Sequence, residues 1–180
     1  QRLPMSRHAV NRLVCTLAFF DYRHFCDKVT DFFTNFAVIK RIIKAITKLT
    51  NNAEKQNITR SILEALPDWF GIPEAREKYI EGSKDNIFFC AYEADKPVGF
   101  LYIKETGKDT AELAVMGVLK EYHRQGIGRA LFEHAKAAAR EAGYSFLQVK
   151  TVQMGKYEDY DNTNKFYLSL GFKEFEVFPT

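Results

Sequence analysis

The sequence predicts an α/β protein in which helices flank a mixed, largely antiparallel central sheet. Three apolar segments, residues 87–92, 98–103 and 111–119, follow one another across short polar turns, and this spacing is typical of three antiparallel strands in a meander. A helical pattern over residues 126–141 then separates the third segment from an apolar strand pattern at 146–152. A helix that connects two neighbouring strands of one sheet makes them parallel, so we expect one parallel pair.

The composition allows one substantial hydrophobic core and indicates no macromolecular ligand. Of the 180 residues, 46% are hydrophobic, and 26 Lys and Arg against 23 Asp and Glu leave a net charge of +3. Nucleic-acid-binding proteins usually carry a more concentrated positive field, so we expect no nucleic-acid partner. The apolar run at residues 13–20 is too short to span a bilayer, so we expect no membrane partner either.

The cysteine and histidine positions predict neither disulfides nor a metal centre. Cys15, Cys26 and Cys90 are far apart and form no Cys-x-x-Cys pair, and the four histidines have no metal-ligand spacing. We therefore expect no metal, free thiols and a cytoplasmic location, where the environment is reducing. Cys90 lies within an apolar strand pattern and is expected to be a buried, inert thiol.

Residues 1–38 are predicted to form a helical extension that precedes an α/β domain of residues 39–180. Met5 is a candidate natural start of this extension. Its phenylalanines either pack on a core of their own or form a surface for oligomerisation or partner docking, so a homo-oligomer is one expectation. Apolar residues recur there at spacings of three and four, as one buried helix stripe requires. They include Leu13, Leu17, Phe20, Val29, Phe32, Phe33 and Phe36.

The α/β domain is expected to open with a strand and two helices and to close with a helix and a strand. Asn51 and Asn52 are favourable residues for a helix start, and Pro67 ends the helix that they begin. Pro73 is well placed at the start of the next helix. The predicted segments are strand 41–47, helix 52–66, helix 73–82, helix 162–170 and strand 172–178.

A glycine turn, Gln125-Gly-Ile-Gly128, lies where the third strand pattern gives way to the long helix. Glycines let backbone N–H groups crowd together at a helix N-terminus, where they can bind an anionic group such as a phosphate. A P-loop needs Gly-Lys-Ser/Thr, but Arg129 and Ala130 follow here, and a dinucleotide fingerprint needs a small residue where Leu131 stands. The turn therefore favours neither ATP nor NAD, and a plain helix cap is the alternative.

Three segments, in this order, resemble the GNAT superfamily of acetyl-CoA-dependent N-acetyltransferases of the bacterial type. They are the strand at residues 111–119, the turn His123-Arg-Gln-Gly-Ile-Gly128 and the closing run at residues 162–172. The superfamily pattern Arg/Gln-x-x-Gly-x-Gly/Ala has His123 in its first position here. The resemblance spans residues 41–178 and implies a GNAT-type sheet whose parallel strands splay apart where acetyl-CoA binds as co-substrate.

The resemblance also assigns residues to the acetyl-CoA site. Met116 and Val118 are the backbone positions expected to pair with the pantetheine arm, as a missing strand would. Asn162 is expected beside the cofactor, unless it only caps its helix. The backbone N–H groups expected at the pyrophosphate are those of Gln125, Gly126, Ile127, Gly128, Arg129 and Ala130.

Two residues are implied for direct transfer of the acetyl group within a ternary complex. Tyr167 matches the tyrosine that faces the CoA sulfur, and its phenol is expected to protonate the leaving thiolate. Glu112 matches a glutamate that acts through water as the base for the amine. The alternatives are a tyrosine that only packs in the core and an exposed strand carboxylate. For the whole chain, the alternative is a non-catalytic acyl-CoA sensor.

The acceptor is expected to be a primary amine on a small molecule or a peptide. The resemblance implies that it binds between Trp69 and Phe70 on one side and the acidic segment with Tyr157 and Tyr160 on the other. The carboxylates of this segment either attract a cationic amine or form a solvated loop. Relatives have one more strand after residue 178, so this strand is expected to be missing, or its edge covered by a partner or the amino-terminal extension.

Overall fold

The structure is a computed structural model that describes residues 12–18 and 45–179. From residue 45 onwards, the predicted helices and strands follow one another in the predicted order, and a further short helix forms at Pro67–Phe70. The strands are β1 (Arg12–Ala18), β2 (Ala45–Leu49), β3 (Ile87–Glu93), β4 (Lys96–Gly107), β5 (Thr110–Val118), β6 (Phe146–Val152) and β7 (Lys173–Phe178). The α-helices are α1 (Asn52–Glu64), α2 (Pro67–Phe70), α3 (Pro73–Ser83), α4 (Ile127–Glu141) and α5 (Glu158–Ser169). None of these helices is long and apolar enough to cross a membrane.

The strands form one sheet in the order β2-β3-β4-β5-β6-β1-β7. Each neighbouring pair is antiparallel except β5 and β6, which are parallel and are connected by α4. The helical crossover returns the chain to the same end of the sheet, and this gives the two strands one direction. The predicted fold class, a mixed and largely antiparallel sheet flanked by helices, is therefore confirmed.

The prediction of a helix is wrong for Arg12–Ala18, which form strand β1. β1 lies between β6 and β7 and pairs antiparallel with both, with Cys15 opposite Val149 on one side and Glu174 on the other. A short apolar run of this kind is equally compatible with the buried face of a helix and with a strand that is buried on both sides. Pairing with β6 and β7 makes this segment a strand. The rest of the predicted helical extension lies outside the described residues.

β1 covers one edge of β7, the strand after which the superfamily resemblance predicted a missing strand. It pairs with β7 along Arg12–Thr16, so a segment from the amino-terminal part of the chain covers the inner edge of β7. Val14 and Cys15 are both buried. Residues 12–18 thus belong to the sheet of the α/β domain rather than to a separate extension.

Two apolar layers cover the two faces of the sheet. On one face α4 buries a continuous stripe, and on the other face α1 packs against β3 and β4, where the rings of Phe88 and Phe100 stack with centroids 5.3 Å apart. The stripe of α4 consists of Ile127, Leu131, Phe132, Ala135, Ala138 and Ala139. The α4 layer matters for function because it anchors the helix whose first turn reaches the cleft described below.

Local capping signals explain where two helices begin. Asn51 caps α1, since its side-chain oxygen accepts a hydrogen bond of 3.0 Å from the backbone N–H of Glu54. The closing helix α5 begins at Glu158 rather than at the predicted Asn162. Acidic residues of the first turn, Glu158, Asp159 and Asp161, favour the earlier start through the helix dipole. Asn162 is therefore not a helix cap.

Replacement of Asn51 by alanine is expected to lower the free energy of unfolding by about 1 kcal/mol, because α1 loses its only side-chain cap among the described residues. Urea denaturation with the circular dichroism of the helices as signal measures this difference. Asn51→Asp keeps a side-chain acceptor and should stay within a few tenths of a kcal/mol of the parent. Equal losses in both variants would contradict the capping role.

Candidate active site

The parallel strands β5 and β6 separate halfway along their length. Their pairing begins with Thr110 opposite Phe146 and ends with Leu113 opposite Val149. At the same point the register between β4 and β5 shifts and leaves Ala114 without an opposite residue on β4. Such a bulge bends its strand, and here it turns β5 away from β6. The predicted splay of the parallel pair is confirmed.

The separation of the two strands opens a cleft of about 1030 Å³. The first turn of α4 and one side of α5 line it near the strand ends, and α2 and α3 line it on the other side of the sheet. The predicted site residues that line the cleft are Trp69, Phe70, Met116, Val118, Gly126, Ile127, Gly128, Arg129, Tyr160, Asn162 and Tyr167. Those that do not are Glu112, Gln125, Ala130 and Tyr157.

The glycine turn enters α4 through two residues in the left-handed conformation, Arg124 with φ 59° and Gly126 with φ 83°. Gly126 is the N-cap, and no side chain caps the helix. Within the described residues, the backbone N–H groups of Ile127, Gly128 and Arg129 make no backbone hydrogen bond. Free donors at a helix N-terminus, together with the helix dipole, are the groups that an anion such as a phosphate binds.

Ala130 does not share this role in the structure. Its backbone N–H donates to the carbonyl oxygen of Gly126 at 3.0 Å, which is the first hydrogen bond inside the helix. The side chain of Gln125 donates to the carbonyl oxygen of Glu121 at 2.8 Å and so closes the loop before the turn. The predicted run of donors from Gln125 to Ala130 therefore loses its last member, because the N–H of Ala130 is used inside the helix.

Gly128 sets how closely α4 approaches its neighbours. A Cβ atom at this position would lie 3.1 Å from the ring carbon Cζ of Phe166 and 3.7 Å from the sulfur of Met116. A contact of 3.1 Å is tighter than side chains ordinarily allow. The absence of a side chain therefore lets the first turn of α4 lie against α5 and β5, at the place where the strands diverge.

His123, the residue that departs from the superfamily pattern, connects the turn to the end of β5. Its Nε2 lies 2.7 Å from the carbonyl oxygen of Val118. A carbonyl only accepts hydrogen bonds, so Nε2 is the donor. The ring also meets Trp69 edge to face, with centroids 5.9 Å apart. His123 thus connects Val118, the last residue of β5, with Trp69 on the aromatic side of the cleft.

Tyr167 lies on α5 with its ring in the core and its edge at the cleft. The residue is 7% exposed and packs against Phe166 and Phe172, with ring centroids 5.7 Å and 5.8 Å away. Burial, with smaller contributions from Cys15, Tyr79 and Tyr160, raises the pKa of its phenol above the ordinary tyrosine value. The residue also lines the cleft, so its phenol is a candidate proton donor to a bound molecule.

Glu112 is the buried centre of an ion-pair cluster rather than a residue of the cleft wall. The residue is 5% exposed. Its Oε2 lies 2.7 Å from the Nζ of Lys150, and its Oε1 lies 3.5 Å from the Nζ of Lys104. The side chain of Gln148 approaches Oε2 at 3.5 Å. Lys150 itself lines the cleft, so it separates Glu112 from a bound molecule, and the base role of Glu112 stays a prediction that requires an intervening water.

Glu112→Gln is expected to lower the free energy of unfolding by about 1–2 kcal/mol, because Lys104 and Lys150 lose the carboxylate that they share. Denaturant unfolding measures this loss. The pH dependence of kcat in the variant separates the two roles. If Glu112 is the base, its replacement lowers kcat most below the pKa of the amine. If Glu112 only forms a structural ion pair, the shape of the pH profile stays that of the parent. Glu176→Gln, on the exposed edge strand β7, is the matched control.

The far end of the cleft is aromatic, as predicted, but it also has residues that the sequence did not single out. Trp69 and Phe70 on α2 and Tyr160 on α5 line it, whereas Tyr157 is 42% exposed, and its ring centroid lies 6.2 Å from that of Tyr160. The additional lining residues are Arg76 and Tyr79 on α3 and Lys150 and Thr151 on β6. Their spacing on α3 is the ordinary spacing of one helix face, so only the tertiary structure brings them to the cleft.

Comparison with known proteins identifies the family. A family model described as the acetyltransferase (GNAT) domain matches residues 84–174, which are half of the chain. An uncharacterized N-acetyltransferase of Chlorobaculum tepidum is 32% identical over 100 residues, covering 56% of this chain and 57% of that protein. The match therefore spans little more than half the length of this relative.

Two solved structures have a similar fold. A GNAT-family acetyltransferase from Novosphingobium aromaticivorans has a TM-score of 0.64 at 13% identity, covering 95% of this chain and 62% of its own. The PaiA N-acetyltransferase of Thermoplasma acidophilum in complex with coenzyme A has a TM-score of 0.55 at 18% identity, covering 72% of this chain and 90% of its own. At sequence identities this low, the comparison shows only that the folds are similar.

The fold and the cleft define an α/β protein in which free helix N-terminal amides meet the opening between two diverging strands. The chain belongs to the GNAT acetyltransferase family. The resemblance found in the sequence is thereby confirmed at the level of the family. The roles of the individual site residues stay predictions.

Proposed function

We propose that this protein transfers an acetyl group from acetyl-CoA directly to a primary amine while both substrates are bound. The observation that carries this proposal is the row of free N–H groups at Ile127, Gly128 and Arg129, which face a cleft between diverging strands. A pyrophosphate would bind these donors, and an extended pantetheine chain would pair with the backbone of β5 at Met116 and Val118, where the carbonyl oxygen of Val118 already accepts from His123. Arg124, Arg129 and Lys165 also line the cleft and supply positive charge for the phosphates of CoA.

The chemistry requires one new bond and one proton donor. The neutral amine attacks the thioester carbonyl carbon, a C–N bond forms, and the C–S bond breaks to release a thiolate. Tyr167 is the proposed acid, because its protonated phenol lies at the cleft and can give its proton to the thiolate sulfur. The proton of the amine leaves to water, with Glu112 as the proposed base behind that water.

The cysteines of the described residues do not favour a route through an acyl-cysteine. Cys90 is fully buried in β3, and burial raises the pKa of its thiol to about 12. Cys15 is buried in β1, and burial with the nearby Glu174 also raises its pKa. A thiol is a nucleophile only as its thiolate, and neither residue lines the cleft. Direct transfer in a ternary complex therefore needs the fewest assumptions.

The first experiment measures CoA binding by native mass spectrometry, followed by CoA release with a panel of amines and acetyl-CoA. The panel contains polyamines, aminoglycosides, amino acids and peptides with a free amino terminus. Turnover of at least one amine above the rate of acetyl-CoA hydrolysis is the expected result. Retention of CoA without turnover of any amine would instead favour the non-catalytic sensor. A cytoplasmic location and a homo-oligomeric state stay predictions.

A further inference from the structure

Arg76 stands at the acceptor end of the cleft with most of its hydrogen-bonding capacity unused. It lines the cleft from α3, and its Nη1 donates to the carbonyl oxygen of Phe70 at 3.3 Å. Its Nε is buried and has no hydrogen-bond partner. In the described part of the chain no carboxylate forms an ion pair with it. A guanidinium has five N–H donors, and apart from the buried Nε and the bond to Phe70, those of the two Nη groups remain for a ligand with acceptor oxygens.

The charged side chains of the cleft show which cation remains for the acceptor. Among the described residues, the charged side chains that line it are Arg76, Arg124, Arg129, Lys150, Lys165 and the single carboxylate Asp159. Of the acidic segment that was predicted to attract cations, Asp161 accepts a hydrogen bond of 2.8 Å from the N–H of Gly155, and only Asp159 reaches the wall. Arg124, Arg129 and Lys165 supply charge for the proposed CoA phosphates, and Lys150 pairs with Glu112, so among the described residues Arg76 is the lining cation that remains for a substrate carboxylate.

The surroundings of Arg76 are apolar and aromatic. Trp69, Phe70, Ile72 and Tyr79 line the same end of the cleft. The ring of Phe70 meets that of Tyr79 edge to face, with centroids 5.9 Å apart. Such a wall favours a flat or branched apolar side chain, and it raises the strength of a charged hydrogen bond by excluding water.

We propose that the acceptor is an α-amino acid with an aromatic or branched apolar side chain, and that Arg76 binds its carboxylate. The inference rests on the proposed acetyl transfer to an amine and names the class of amine. The amino group, which is the nucleophile, and the carboxylate are attached to the same α-carbon. Arg76 therefore positions the amino group by binding the carboxylate, while the aromatic wall packs against the side chain. Arg76 is a substrate-binding residue, and the chemical step itself does not involve it.

The test compares amino acids with the amines that remain when the carboxylate is removed. The pairs are phenylalanine with phenethylamine, tyrosine with tyramine, tryptophan with tryptamine, and leucine with isoamylamine. For at least one pair, kcat/KM should be at least about tenfold higher for the amino acid than for the amine. Arg76→Gln should lower this ratio of the two kcat/KM values about tenfold by raising KM for the amino acid, since one charge-assisted contact is lost. KM for acetyl-CoA should not change.

Lys78→Gln is the matched control, because Lys78 is an exposed cation on the same helix outside the cleft. It should leave the ratio unchanged. Arg76→Lys keeps the charge and should restore part of the ratio. Thermal unfolding of each variant shows whether α3 is intact, so a folding defect is distinguished from a lost contact.

A second readout is independent of turnover. Calorimetry in the presence of CoA compares the binding of N-acetyl-phenylalanine and N-acetyl-phenethylamine, and the acid should bind about tenfold more tightly to the parent but not to Arg76→Gln. Equal binding and equal turnover of the pair, or a ratio that Arg76→Gln does not alter, would overturn this inference and leave acetyl transfer intact. CoA binding without turnover of any amine would overturn the proposed function instead.

Discussion

Replacement of Tyr167 by phenylalanine is expected to lower kcat roughly a hundredfold while the Kd for CoA stays the same. A general acid commonly contributes about 10²–10⁴-fold to the rate. The substitution removes only the hydroxyl, and the ring keeps its packing against Phe166 and Phe172 in the core. Steady-state kinetics with the best acceptor of the amine screen measures kcat, and calorimetry measures CoA binding.

Tyr144→Phe is the matched control for this variant. Its phenol donates to Glu105 at 2.8 Å, and the residue does not line the cleft. The control should keep the kcat of the parent. A Tyr167→Phe variant with the kcat of the parent and normal CoA binding would mean that Tyr167 only packs in the core, which is the alternative that the sequence left open.

The pH profile adds a second test of the same residue. Burial raises the pKa of Tyr167, and a tyrosine with a raised pKa stays protonated, and thus able to donate, until the pH exceeds its ordinary value of about 10. We therefore expect no alkaline loss of kcat from Tyr167 below about pH 10. An alkaline limb at lower pH that disappears in Tyr167→Phe would contradict the raised pKa.

Replacement of Gly126 by valine is expected to weaken CoA binding roughly thirtyfold. Gly126 has φ 83°, where a β-branched residue is strained by about 2 kcal/mol. The free protein can relieve this strain by moving the turn, which withdraws the N–H groups of Ile127 and Gly128 from the cleft. CoA must then restore the strained turn when it binds, so the strain appears in the Kd, which calorimetry measures.

Gly155→Val is the control, because Gly155 has the same φ of 83° and an added Cβ would have no atom within 4 Å. Both variants should lose similar stability in thermal unfolding, and only the Gly126 variant should lose affinity for CoA. Equal affinities in the two variants would show that the turn does not bind the donor.

The sequence predicted the fold well where short-range signals agree with one another. The meander, the long helix and the glycine turn each have a local signature, and together they imply the parallel pair and its opening. β1 is the opposite case, because the apolar run at Arg12–Ala18 fits a helix or a strand. Its assignment depends on hydrogen bonds to β6 and β7, which are distant in the sequence.

The candidate site shows the same division at the level of single residues. The turn at Gly126 and Gly128 follows from the sequence, since left-handed backbone and close helix packing both require glycine. The sequence could not show that the N–H of Ala130 bonds to Gly126, or that Glu112 lies between two lysines of neighbouring strands. Those contacts depend on where the helix begins and on the register of the sheet.

The sequence by itself thus indicated the family, the glycine turn and the tyrosine at the cleft, because each is a short motif with a local geometric requirement. Only the tertiary structure decided that β1 joins the sheet and that Arg76 lines the cleft. The physical reason is that charge and hydrogen-bonding capacity act through space, so their partners are known only once the strands are paired and the helices packed.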